Sequence, residues 1–209
     1  MNFKILLSVI SISVLLLSCG GNKSNDGEES KSGLAESITG IKNISKATKA
    51  LSDWEETQEK LVGETPLTND ELKAMLPESL AGMKRTSLSV GDGYMMGVIT
   101  GQAGYSDEEN KKVELSIMDG AGETGAAMVS MFYMTLSMNM EEETETGFSK
   151  ITTLDGYRAT VEENRGDDWV DSEISALVAD RYIVSLDASG LDLKELESVF
   201  KQLDLKKLK

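Results

Sequence analysis

Apolar side chains fall along this chain in three rhythms, and each predicts a different kind of element. From residue 34 to 62, Leu34, Ile38, Ile41, Ile44, Leu51 and Val62 recur at steps near three and four with polar residues between them, the spacing of one helix face. Thr65-Pro66-Leu67 breaks that run. Thr68 and Glu71 then stand in capping-box spacing ahead of a short helix that stops at Pro77. Leu80-Ala81-Gly82-Met83 reads as a turn into three strands, Lys84–Val90, Tyr94–Tyr105 and Lys112–Met118, with Gly91-Asp92-Gly93 as a hairpin turn. In the third strand Val113, Leu115 and Ile117 alternate with Glu114 and Ser116, so one face is expected in a core and the other in water. A helix is expected from Gly125 to Met140, ended by an acidic loop, Glu141–Gly147. Four more strands follow: Phe148–Thr153, Tyr157–Asn164, Trp169–Val178 and Arg181–Leu186. Asp192 and Glu195 repeat the capping-box spacing before a last helix striped by Leu193, Leu196, Val199, Phe200 and Leu203.

Short polar links such as Asp155-Gly156 and Arg165-Gly166-Asp167 favour antiparallel neighbours. The expected fold class is therefore α+β, an antiparallel sheet of about seven strands covered by helices. The element order over residues 65–205, with its terminal helix, is similar to the PsbP/Mog1-like fold. That resemblance implies a binding or accessory role rather than catalysis.

The third rhythm is a continuous apolar run. Met1–Lys4 carries one positive charge, and Ile5–Leu17 is apolar apart from Ser8, Ser11 and Ser13. The run is shorter than the ~20 residues of a membrane span and reads as a secretory signal over residues 1–18. Leu16-Leu17-Ser18-Cys19 ends it and resembles the lipobox of bacterial lipoproteins, with Leu17 bulkier than usual at its position. The resemblance implies cleavage before Cys19, a diacylglyceryl group on its sulfur, and further acylation of palmitate type. The partner of Cys19 is then a membrane of the cell envelope, expected to be the outer rather than the inner one, with the exposed face left open. Residues 19–33, rich in Gly, Ser, Asn and Glu, read as a flexible tether, 34–62 as an amphipathic helix and 63–209 as one domain.

Composition narrows the chemistry. The chain has a formal charge of −15, and loss of residues 1–18 removes Lys4, leaving 20 cations against 36 acids, or −16. Such an excess argues against nucleic acid as a partner. The chain has no histidine, and its one cysteine is Cys19. Ser-His-Asp and Cys-His nucleophile systems, His/Cys zinc sites and internal disulfides are thereby excluded. No cofactor or metal is expected, and the protein reads as a non-enzyme.

Four patterns remain to be weighed. Gly120-Ala121-Gly122-Glu123-Thr124-Gly125 matches G-x-G-x-x-G between a strand and a helix, the context of a dinucleotide fingerprint. The strand before it alternates, Asp119 and Glu123 put negative charge where phosphate would sit, and an acidic loop stands ~20 residues on where a second strand should end. A close-packed glycine connection is the stronger reading. Met128, Met131, Met134, Met138 and Met140 crowd one helix, and the first four are the candidate ligand-binding residues. Core packing beside Val129, Phe132 and Leu136 is the default, an apolar ligand or partner surface the alternative, and soft thioether ligation of copper a distant third. Asp107-Glu108-Glu109, Glu141-Glu142-Glu143 and Asp167-Asp168 could supply oxygen ligands to calcium but lack EF-hand spacing. Ser198 and Lys201 match S-x-x-K without the companion motifs that would make it catalytic. The leading expectation is an accessory module for an unknown envelope protein. A carrier of a small apolar ligand or lipid, using a cleft between the sheet and the Met-rich helix, and an acidic cation-binding module are the alternatives.

Overall fold

The computed structural model describes residues 52, 54–92, 97–109, 111–138 and 140–208. The signal, Cys19, the tether and most of the first expected helix lie outside the described residues. The end of that helix is seen as α1, residues 54–63. It is followed by α2 (Asn69–Met75), β1 (Ser79–Leu80), β2 (Met83–Asp92), β3 (Ile99–Ser106) and β4 (Lys112–Asp119). Next come α3 (Gly122–Ser137), β5 (Glu141–Glu143), β6 (Gly147–Leu154), β7 (Tyr157–Arg165), β8 (Val170–Val178), β9 (Tyr182–Ser189) and α4 (Leu193–Phe200). A 3-10 turn, Leu205–Lys207, follows α4.

The fold is α+β, with one open antiparallel sheet of nine strands in the order β1-β2-β3-β4-β9-β8-β7-β6-β5. Two meanders, β1–β4 and β5–β9, meet where β4 pairs with β9. Two strands more than expected arise at the edges. Ser79–Leu80 pairs with β2 across Ala81-Gly82, both at positive φ as tight two-residue hairpins require. Glu141–Glu143, expected as a loop, pairs with Phe148–Lys150. A run of three glutamates has poor strand propensity, and its pairing partner rather than its composition decides its conformation. Of the expected strand from Tyr94, residues 94–96 lie outside the described residues, Gly97 and Val98 stand outside β3, which runs from Ile99, and Gly91-Asp92 extends β2.

Alternation divides the sheet into two faces. Val113, Leu115 and Ile117 of β4, Val184 and Leu186 of β9, and Ile174 and Ala176 of β8 are buried on the inner face. There α2 adds Leu72 and Leu76, and α4 adds Leu196, Val199 and Phe200. Both covering helices carry the expected capping boxes, Thr68 with Glu71 and Asp192 with Glu195. Glu163, nearly buried on β7, accepts the Leu193 N–H at 2.8 Å and so fixes the start of α4 on the sheet.

On the outer face α3 covers only the ends of the central strands. Ala126, Val129 and Leu136 pack against Leu177, Met118, Ile151 and Ile183. α1 joins this cluster through Trp54, whose ring stacks on Tyr133 at 4.0 Å with an interplanar angle of 4°. Among the described residues no helix is long and apolar enough to cross a membrane.

Candidate functional site

The G-x-G-x-x-G segment folds for packing reasons. Asp119, fully buried at the end of β4, accepts the Ala121 N–H at 3.1 Å and the Leu67 N–H at 2.7 Å. Its two oxygens also receive Arg181 Nε at 2.6 Å and Nη2 at 2.8 Å in a bidentate pair. Arg181 reaches Glu64 as well and donates to the Thr65 carbonyl at 3.2 Å, so one guanidinium ties the α1–α2 link to β4 and β9. Hydrogen bonding to Asp119 raises the Arg181 pKa against the opposing effect of burial. A Cβ on Gly120 would collide with the Arg181 carbonyl and Val129, and one on Gly125 would lie 2.7 Å from the Gly120 carbonyl carbon. The glycines thus let α3 start against the strand it follows. α3 begins at Gly122 rather than Gly125. The Asp119 carboxylate occupies the Ala121 N–H that a phosphate would seek.

The methionines are where core packing was expected and is not found. α3 is apolar on two opposite sides. At 100° per residue, Val129, Phe132, Leu136 and Ala126 form the arc that meets the sheet, and Met131, Met134 and Met138 form an arc directly away from it. Met131 is 70 % exposed, Met134 58 % and Met138 49 %. Met128 is half-buried, at the margin of the arc. Met140, past the helix end, is 57 % exposed and lies beside β6, where its carbonyl accepts the Ile151 N–H at 3.2 Å. Of the four candidate residues, the structure brings three into one exposed stripe. None of them lines a cleft between α3 and the sheet, because that side of the helix is filled by the second core cluster. A contiguous apolar surface of this kind on a folded domain marks an interaction site more often than a chance exposure.

Carboxylates dominate around the stripe, and a cation beside it, Arg158, donates to the Leu136 carbonyl near the end of α3. Between Lys112 and Lys150 the chain has no Lys or Arg and seven carboxylates. Glu123 lies exposed at the start of α3, and Glu141, Glu142, Glu143 and Glu145 lie exposed past its end. The outer face beside α3 carries more. Glu114 of β4 stands opposite Asp187 of β9, Asp187 opposite Glu173 of β8, and Glu173 opposite Glu162 of β7. These four carboxylates form a row across adjacent strands in an open trough of about 640 Å³, which Lys112, Asp171 and Asn164 also line. Two of the four have local donors: Ser175 Oγ lies 3.1 Å from Glu173, and Asn164 Nδ2 donates to Glu162 at 2.6 Å. Asp187 is pushed up to about 6, first by burial and then by Glu173 and Glu114. The row gave no sequence signal, since its members are 114, 162, 173 and 187 and only strand register brings them together. Among the described residues no group of three or more carboxylates is placed to hold a metal ion. Asp107-Glu108-Glu109 and Asp167-Asp168 are exposed loop residues. Ser198 Oγ donates to the Lys194 carbonyl within α4, and Lys201 caps that helix.

A second cleft, of about 510 Å³, opens at the C-terminal end of α3 between Tyr133 and Leu136 and the residues Tyr157, Arg158, Leu177 and Asp180. Arg158 enters its wall by donating to the Leu136 carbonyl. Comparison with protein-family models, curated proteins and solved structures found no match for the chain.

Proposed function

We propose that this chain is a lipid-anchored lipoprotein of a bacterial cell envelope, held at the outer membrane through Cys19, whose α+β domain is a non-enzymatic docking module for a partner protein. One observation carries the docking reading: the exposed stripe of Met131, Met134 and Met138 on a helix whose opposite side already packs on the sheet. Methionine suits such a surface because its unbranched, polarisable side chain adapts to the shape of what it meets. The anchor rests on the signal and lipobox, and the finer fold assignment we propose, PsbP/Mog1-like, rests on element order alone. Affinity capture from solubilised envelopes tests the docking reading. A protein retained by the native chain and lost from a Met131→Gln/Met134→Gln/Met138→Gln variant supports it, and identical retention by both sinks it. Cys19→Ser tests the anchor separately: the variant leaves the membrane fraction, or the lipid assignment is wrong.

The carrier of a small apolar ligand is the second reading, favoured by the cleft beside Leu136 and Leu177 rather than by the methionines. Native mass spectrometry of gently purified protein decides it, because a carrier brings a discrete added mass and an empty chain does not.

A further inference from the structure

We infer that the segment received by the methionine stripe is a cationic amphipathic helix, an inference that rests on reading the stripe as a docking surface. Two features of the same sheet face lead there. The apolar part is short: Met131 to Met138 spans about 10 Å of helix axis, two turns, which matches apolar residues at i, i+3 or i+4, and i+7 of a partner helix. In the rim, carboxylates stand at both ends of α3 and along the sheet beside it, and Arg158, a cation at its C-terminal end, is engaged with the Leu136 carbonyl. Glu123 stands at the start of α3, and Glu142 follows its end. Register carries Glu142 through Ser149 to Glu162 and the row of Glu173, Asp187 and Glu114. Lys150 stands opposite Glu141 and close to the Phe148 ring, one register position off the Glu142 row, so alternation turns it to the other face. Lys112, at the far end of the trough, is the one cation lining it among the described residues.

Such a rim selects between occupants. A neutral apolar helix would cover the methionines but leave the negative charge of the carboxylates unneutralised. An anionic lipid surface would be repelled by them. A helix with lysine or arginine flanking its apolar stripe satisfies both parts, and the field of the acidic face steers it to the site. This accounts for carboxylates placed around the exposed methionine side of α3, which solubility alone would not require.

The test uses the chain from residue 19 onward as its Cys19→Ser variant, which has no lipid to carry it onto vesicles, labelled with 13C at the methionine methyls, whose exposed and buried members report separately by NMR. The probes are a 14-residue leucine/lysine amphipathic peptide, the same peptide with glutamine for lysine, and phosphatidylcholine vesicles with and without phosphatidylglycerol. The lysine peptide is expected to shift the Met131, Met134 and Met138 methyls while buried Met83 stays in place. Its affinity should exceed that of the glutamine peptide at least tenfold at low salt. It should also fall at least tenfold in the Met131→Gln/Met134→Gln/Met138→Gln variant, whose unchanged melting temperature certifies its fold. Equal binding of the two peptides at the stripe overturns the cationic partner and leaves the docking reading standing. Vesicles moving the methyls, with neither peptide doing so, overturn both. Lysine-peptide shifts confined to residues of the carboxylate trough, or no methyl shifts with any probe, overturn the inference as well.

Discussion

Replacing Asp187 by asparagine should make the protein more stable at pH 8 and leave it unchanged at pH 4. Asp187 sits on β9 between Glu114 on β4 and Glu173 on β8, each directly opposite it in register on strands about 4.8 Å away. Like charges placed so disfavour the sheet that aligns them. The consequence is a carboxyl raised from 3.8 to about 6, by burial first and by the two glutamates next. The folded state therefore holds a proton that the unfolded chain releases above about pH 4. Stability falls as pH rises through that window, and above the folded value the whole penalty is present. A shift of about two units corresponds to ~3 kcal/mol in a dry site. The Asp187 side chain is exposed in an open trough, so water screens its neighbours and about 1 kcal/mol is the realistic figure. Asparagine keeps the size and removes the charge. Urea unfolding of both proteins from pH 4 to pH 8 reads the difference directly, provided the slope with denaturant is common to both. The gap should open between pH 4 and 6 and reach about 1 kcal/mol, or about 2–4 °C in melting temperature for a domain of this size. A gap that is the same at pH 4 and pH 8, or a variant less stable at pH 8, would refute the reasoning.

Asp119→Ala strands the Arg181 guanidinium and two backbone N–H groups. An expected loss of about 3 kcal/mol follows, at the lower end for a broken buried pair because Glu64 remains beside Arg181. A loss under about 1 kcal/mol in chemical unfolding would contradict it. Gly125→Ala places a methyl against the Gly120 and Asp119 backbone and should cost about 1–3 kcal/mol, whereas Gly63→Ala, with open space around its Cβ at the end of α1, should be neutral or stabilising by up to ~1 kcal/mol. Equal effects in a paired melting experiment would break the packing account of α3. Trp54→Ala removes the ring stacked on Tyr133, with a loss of about 3 kcal/mol. Because Trp169 is half exposed, the remaining fluorescence should move to longer wavelength, and an unshifted spectrum would count against the docking of α1.

What the sequence made legible is what local physics decides. Both capping boxes formed because Thr68 and Asp192 have only nearby backbone to satisfy, and β4 alternated as Val113, Leu115 and Ile117 required. Edge pairing is not local, so neither β1 nor the pairing of the three β5 glutamates shows in the sequence pattern. α3 starts three residues before the Gly125 that the pattern indicates, because its setting depends on Asp119 and Arg181, 62 residues apart. The methionines illustrate the same limit. Periodicity groups Met131, Met134 and Met138 correctly on one side of a helix, but an apolar stripe does not say which of two stripes meets the sheet. Smaller, stiffer Ala126 and Val129 fit the close approach of α3 to the sheet, and this leaves the methionines facing outward. The carboxylate row lies wholly beyond a linear reading, since its four members come from four strands.

If the methionine stripe docks a partner, it is covered when the protein is in place and bare when the protein is alone. Peroxide footprinting measures this, because oxidation to the sulfoxide follows exposure of each thioether. The same dose is applied to intact envelopes and to purified protein, and modification is read at each methionine by mass spectrometry. Met131, Met134 and Met138 are expected to oxidise readily in the purified protein and to be protected severalfold in the envelope, while exposed Met140 changes less and buried Met83 reacts slowly in both. Equal oxidation of the three stripe methionines in envelope and solution would contradict it.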